Sequence, residues 1–178
     1  MFVTSDQHFG HFNAIKHENR PFATTEEMNE FMIKQWNSVV GPKDIIYHLG
    51  DFAFRCGLET MTEIFHRLNG RKMLIRGNHD EKPRKYFEMG WEQVYDSKST
   101  EWDNVEFTMC HYPLAHSRAK QSLHDYGQFH IHGHTHSKTP AENGRQYNVS
   151  VEHHNYTPVH INQIIKYWRS LDAEIISN

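Results

Sequence analysis

Short β-prone apolar runs recur along the chain, and most of them end on a glycine or a polar group. Phe2-Val3-Thr4-Ser5 is the first and leads into Asp6. Asp44–Leu49 (DIIYHL) is a second candidate strand, running into Gly50-Asp51, and Lys72–Arg76 (KMLIR) a third, running into Gly77-Asn78. Val105–Cys110 (VEFTMC) is closed by His111 and Gln128–His132 (QFHIH) by Gly133-His134; Tyr147–Val151 (YNVSV) is a further candidate. Between the early strands the period changes. Met28, Phe31, Met32, Trp36 and Val39 recur at helical steps, with Thr24 and Glu27 spaced as a capping box. Leu58, Met61, Ile64, Phe65 and Leu68 form a second stripe, stopped by Gly70, and Ile161, Ile164, Ile165, Trp168 and Leu171 a third. All three stripes read as ordinary core packing.

Strand, helix, strand in alternation predicts an α/β fold. No repeat, low-complexity tract or linker divides the chain, so residues 1–178 are expected to form one domain. Thr135–Arg145, with Pro140 and Gly144, reads as a loop or hairpin, and the polar Ser117–Gly127 resists assignment. A β-like segment directly after Met1 is unlike a signal peptide, and no apolar run approaches the roughly 20 residues of a membrane span. Cys56 and Cys110 show no repeated spacing and are expected to be reduced, buried thiols, so a cytoplasmic location is expected. Lys and Arg number 19 against 22 Asp and Glu, a formal charge of −3, which disfavours duplex nucleic acid as a partner.

The 16 histidines change the picture, because imidazole is the commonest side-chain metal ligand. Asp6-Gln7-His8 and His134-Thr135-His136 place donors two residues apart, and on an extended chain such positions face the same way. Asp51 offers two carboxylate oxygens that can bridge two cations, and Asn78 an amide oxygen that adds no charge. His79 should project differently from Asn78, toward substrate, with Asp80 accepting from its second ring nitrogen. Glycine precedes Asp51, Asn78 and His134, where the backbone has to approach a ligand closely. Singly, each feature has a plainer explanation as a turn or cap. Together they fall after successive strands, where α/β sheets bind ligands.

These pieces closely resemble the calcineurin-like metallophosphoesterase superfamily: Asp6-x-His8, Gly50-Asp51, Gly77-Asn78-His79-Asp80, His111 and Gly133-His134-x-His136. His8-Phe9-Gly10-His11, Arg20-Pro21-Phe22 and Trp36-Asn37 are similar to a small phage and bacterial branch of it. The resemblance implies a two-sheet α/β sandwich, with helices outside and metals at the strand carboxyl ends. It implies that Asp6, His8, Asp51 and His136 hold one divalent ion, and Asp51, Asn78, His111 and His134 a second, with Asp51 shared.

Oxygen and imidazole donors without thiolate suit Mn²⁺, the leading candidate, and also Fe, Zn²⁺, Ni²⁺ or Co²⁺. A hydroxide bridging the two ions would attack phosphorus in line, and His79 is the candidate acid for the leaving oxygen or a donor to the phosphoryl group. His11, Asn13, Arg20, Arg55, His116 and Arg118 follow the motifs and are candidate substrate contacts. His48, His130 and His132 lie inside strands and read as packed groups. The expected substrate is a phosphodiester of a small, nucleotide-like compound. A nuclease, phosphomonoesterase or pyrophosphatase would use the same core. A non-catalytic interaction scaffold is the reading from another class, disfavoured by the intact ligand set and His79. Oligomeric state is open.

Overall fold

The computed structural model describes residues 1–80, 82–114 and 129–176, with side chains to 171. In chain order it contains β1 (Phe2–Thr4), α1 (Phe12–His17), α2 (Thr25–Val39), β2 (Ile45–His48), α3 (Leu58–Arg67), β3 (Arg71–Ile75), α4 (Pro83–Met89) and β4 (Gln93–Tyr95). Then follow β5 (Ser97–Trp102), β6 (Val105–Cys110), β7 (Phe129–His132), β8 (Glu142–Asn143), β9 (Gln146–Asn148), β10 (Val159–His160) and α5 (Ile161–Ile176), with 3₁₀ turns at His136–Lys138 and Val151–His154.

The strands make two five-stranded sheets, ordered β10-β1-β2-β3-β4 and β5-β6-β7-β9-β8. β1 to β4 pair in parallel, as do β6, β7 and β9, while β10, β5 and β8 are antiparallel edges. Parallel neighbours need crossovers, and α2, α3 and α4 supply them in the first sheet. The central strands of both sheets therefore deliver their carboxyl ends to a common region. Ser5 stitches the sheets together there: its N–H donates to Val149 O at 3.1 Å, and its carbonyl accepts from Val151 N at 3.2 Å.

Register separates two cores. Phe2, Ile46 and Lys72 align across β1, β2 and β3, and so do Val3, Tyr47 and Met73. One step along a strand reverses the face. Ile46 and Leu74 pack with Met28, Met32 and Trp36 of α2, Ile64 and Phe65 of α3, and Tyr86 of α4. Val3 and Ile75 pack instead with Phe107, Met109, Ile131 and Tyr147 of the second sheet. The α5 stripe (Ile161, Ile164, Ile165, Trp168) completes this second core, and Trp168 stacks on Phe129 with ring centroids 4.5 Å apart.

Thr24 caps α2 as expected, its Oγ1 accepting from Glu27 N at 3.1 Å, while Glu27 reaches back to Ala23 N at 2.8 Å. Val39 and Leu58, expected in the stripes, are exposed because they sit at helix ends, and Val40 and Ile33 are buried instead. Both cysteines are free but half-buried, a correction to the expectation of buried thiols; Cys56 packs at the edge of the first core. No helix among the described residues is long and apolar enough to cross a membrane.

His48 is fully buried below the first motif. Its Nε2 lies 2.5 Å from Gln7 Oε1, and its Nδ1 accepts from Gly50 N at 3.2 Å, so the neutral ring fits. Burial, with His111 adding, holds His48 down at about 3. Burial also holds His132 at about 4, against the opposing pull of its bond to Gly133 O. An unfolded chain takes these protons near an ordinary ~6.5, so stability is whole above that pH and is lost as pH falls toward these values. Asp51, held by burial at about 6 rather than 3.8, acts in the opposite sense over a smaller span. The urea midpoint of metal-free protein should therefore drop between about pH 6.5 and about pH 4. A midpoint that stays level or rises over that range would contradict the neutral assignment.

Candidate metal centre

The loops leaving β1, β2, β3, β6 and β7 bring Asp6, His8, Asp51, Asn78, His111, His134 and His136 together. Asp6 is fully buried. Its Oδ2 accepts from Ser5 Oγ at 2.6 Å, Ser150 Oγ at 2.9 Å and His134 N at 3.0 Å. Its Oδ1 is buried with no hydrogen-bond partner. Asp51 is held likewise: Oδ1 accepts from His79 N at 2.9 Å, while Oδ2 lies 3.6 Å from both His8 Nε2 and His111 Nε2. One oxygen of each carboxylate is thus fixed by the fold, and the other is turned inward.

The imidazoles follow the same pattern. His111 Nδ1 lies 2.8 Å from Leu49 O and can only donate there, which leaves a lone pair on Nε2. That Nε2 sits 3.0 Å from Asn78 Oδ1 and 3.2 Å from His134 Nδ1. His136 Nδ1 meets Glu152 Oε1 at 3.0 Å, turning Nε2 toward Asp6 Oδ1, 3.9 Å away. Ligand atoms of Asp6, His8 and His136 all lie within 4.8 Å of one another, and so do those of Asp6, Asp51 and His111. Inward-facing acceptors at these separations can share a cation, and their mixture of carboxylate, amide and imidazole suits a borderline divalent metal.

The electrostatics agree. Burial pushes His8 far below its ordinary value, with Arg20 and His136 adding, so it presents a neutral ring. Burial and then His111 lower His134. Burial raises Asp51 to about 6, His111 opposes it, and Asp6 adds to it. A carboxylate so reluctant to ionise in isolation gains from a cation at its free oxygen. For His136 burial acts downward, but the Glu152 hydrogen bond and the charge of Asp6 carry it above its ordinary value.

The backbone around these ligands is unusual. Asp6, His8, Asp51, His134 and His136 have φ of 62°, 51°, 59°, 67° and 48°. Left-handed non-glycine residues cost of order 1–3 kcal/mol each and concentrate at functional sites. The paired motifs therefore converge through these conformations rather than through the extended chain expected from their spacing. Two of the glycines are explained by close approach. A Cβ on Gly77 would lie 2.2 Å from Asp51 Oδ1, and one on Gly133 would lie 2.2 Å from Ser5 Oγ and 2.4 Å from Asp6 Oδ2. The space they leave is filled by the carboxylates themselves.

His79 lines a cavity of about 280 Å³ together with His8, His11, His17, His136 and Lys138. Its ring centroid is 4.3 Å from Phe54 and 5.5 Å from His8. Asp80 departs from expectation. Its oxygens accept from the backbone N–H of Asp51 (2.8 Å), Phe52 (3.2 Å) and Gly77 (2.7 Å) and from Tyr86 OH (3.0 Å). Among the described residues it makes no hydrogen bond to the His79 ring; the bare amides of two crossing loops take its oxygens instead.

Arg20 is also corrected. Its guanidinium is buried, donating to Asp6 O and Gln7 O at 2.7 Å each and to Glu152, so it cannot meet substrate. Asn13 is exposed on α1 and is not among the cavity's lining residues. Arg55 is exposed with its guanidinium 5.2 Å from the Phe54 ring centroid. His116 and Arg118 lie outside the described residues.

Sequence reasoning missed Glu152 and its neighbours. Asn148 Nδ2 donates to His136 O at 2.9 Å, and His153 Nε2 lies 2.8 Å from the same carbonyl. The available signal was the polar Glu152-His153-His154 that closes the last apolar run, the position at which every other motif falls.

The chain belongs to the calcineurin-like phosphoesterase superfamily, whose domain model matches residues 1–157. That membership and the candidate ligand groups support metal-dependent hydrolysis of a phosphoester as the general activity. An uncharacterized protein of Methanocaldococcus jannaschii is 36% identical over 173 residues, covering 93% of this chain and 89% of the relative. The gene 66 protein of Mycobacterium phage L5 is 30% identical over 165 residues, covering 76% and 77%. The crystal structure of a protein of unknown function from Aquifex aeolicus superposes with a TM-score of 0.74 at 26% identity, covering 93% of this chain and 97% of that one.

Proposed function

We propose that this chain is a single-domain phosphodiesterase, acting in the cytoplasm on a small, nucleotide-like substrate through two divalent ions. Asp6, His8, Asp51 and His136 would hold the first ion and Asp51, Asn78, His111 and His134 the second, Mn²⁺ being the leading candidate. The observation that carries this reading is Asp51 Oδ2, equidistant at 3.6 Å from His8 Nε2 and His111 Nε2. A carboxylate oxygen shared by two metal ions would stand in such a position.

A bound metal pair supplies Lewis acidity toward phosphoryl oxygens and a hydroxide nucleophile near neutral pH. The protein supplies the rest. Asp6 and Asp51 are locked by backbone amides and hydroxyls, so their free oxygens need little reorganisation. His79 stands in the cavity wall, where its ring can give a proton to the leaving oxygen. A cavity of about 280 Å³, with His11, His17 and the Lys138–Glu18 pair at its wall, suits a small ester better than a duplex.

Turnover of bis(p-nitrophenyl) phosphate should exceed that of p-nitrophenyl phosphate with added Mn²⁺ and vanish with chelator. A cyclic- and dinucleotide panel then narrows the substrate. Faster monoester hydrolysis, or efficient cleavage of polymeric DNA, would replace the proposal with the corresponding activity. Metal-loaded protein inert toward every ester would favour a scaffold.

A further inference from the structure

We propose that the buried Arg20–Glu152 pair positions the ligands of the first metal site alone. The inference rests on the two-site reading above. Arg20 and Glu152 are 132 residues apart in sequence, yet Arg20 donates from Nε at 3.0 Å and Nη2 at 2.6 Å to the same Glu152 Oε1. Their side chains are 0% and 7% exposed. The remaining guanidinium contacts run to the first motif, Nη1 to Gln7 O and Nη2 to Asp6 O, both at 2.7 Å. The same Glu152 oxygen meets His136 Nδ1 at 3.0 Å.

One ion pair thus indexes three ligands to each other. Asp6 and His8 flank the carbonyls that Arg20 grips, and both have left-handed φ. His136 is oriented by Glu152, which settles which ring nitrogen turns inward. These are the three ligands that belong to the first site and not the second. The side chains of the second site are supported elsewhere, His111 by Leu49 O and the shared Asp51 by His79 N; one hydrogen bond does run from the first-site ligands to a second-site one, Asp6 Oδ2 accepting from the backbone N–H of His134. Among the described residues no hydrogen bond joins Arg20 or Glu152 to Asn78, His111 or His134.

Stability alone is a poor reason for such a pair. Buried ion pairs recover their desolvation cost only with full hydrogen bonding, and apolar replacements of similar shape are often neutral or stabilising. Here Glu152 Oε2 is buried with no partner. A pair that is incompletely satisfied, but joins two remote segments at a ligand set, has its explanation in geometry.

The test is Mn²⁺ titration of chelator-stripped full-length protein by calorimetry, with electron paramagnetic resonance to separate spin-coupled from isolated ions. Glu152→Gln keeps an acceptor for His136 Nδ1 but removes the charge. Arg20→Met combined with Glu152→Gln removes both charges, and decides the matter if the single variant folds poorly. Wild type should bind two ions with a spin-coupled signal. Both variants should keep one site at wild-type affinity and lose about 10–100-fold at the other, the usual effect of removing an outer partner. The signal should become that of isolated Mn²⁺ at low loading. Excess Mn²⁺ should restore kcat with KM unchanged; because added metal also stabilises any native state that binds it, the metal-free variants should first be shown folded by circular dichroism at the titration temperature. Two wild-type affinities in the double variant would overturn the inference and leave the two-site reading intact. Equal weakening of both sites would also overturn it. Fewer than two ions in wild type would instead remove the two-site reading and the inference with it.

Discussion

Replacing Asp51 with asparagine should abolish hydrolysis and metal binding together. In the native geometry Asp51 Oδ1 accepts from His79 N, and Oδ2 faces His8 and His111. An asparagine would keep its carbonyl on the His79 N–H, since only oxygen can accept there. Its NH₂ would then occupy the shared position, pointing donors at two imidazole lone pairs where a cation should sit. Lewis-acid stabilisation is worth several kcal/mol, so the loss in kcat/KM should be on the order of 10³-fold or more. Metal content after dialysis should fall in parallel. The fold should survive, because burial already disfavours the Asp51 charge and the residue's N–H remains on Asp80. Metal-free Asp51→Asn should melt no lower than metal-free wild type. A variant that retained two ions and normal turnover would end the proposed mechanism.

His79→Ala should separate chemistry from metal binding. The contact that orients Asp51 comes from the His79 backbone, so both sites keep their ligands when the ring is removed. General acid catalysis contributes about 10²–10⁴-fold, and kcat should fall by that much with metal stoichiometry unchanged. The deficit should shrink for p-nitrophenyl esters, whose leaving group needs little protonation, and widen for nucleoside or alkyl esters. An equal deficit for all leaving groups would make His79 a donor to the phosphoryl group instead. Loss of metal in this variant would show that the ring, not the amide, supports the site.

Parts of the fold were open to sequence reading because their signals are local. The α2 capping box depends on residues three apart, and strand faces on alternation within a few residues. β5 escaped notice because SKSTEW has no apolar alternation and exists as a strand by pairing along its whole length with β6. α1, at six residues, had no stripe to show. α4 carries the local marks of Pro83 at its start and Gly90 at its end, but buries only Tyr86 and Met89, too few apolar positions to make a stripe.

By itself the sequence determined the α/β class, the identity of the residues that converge and their order at strand ends. Strand periodicity and residue chemistry are properties of short segments, so they survive without coordinates. Only the tertiary structure decided how the ligands are held. Arg20, expected at the substrate, is buried 132 residues from its partner Glu152 in sequence, and Asp80 serves the amides of the Asp51 and Gly77 loops rather than the His79 ring. The left-handed turns at Asp6, His8, Asp51, His134 and His136 are likewise imposed from outside. The physical reason is the same in each case. Hydrogen-bond donors and acceptors buried at a meeting of loops are satisfied by whichever groups the two sheets bring within 3 Å, and no local pattern records that choice.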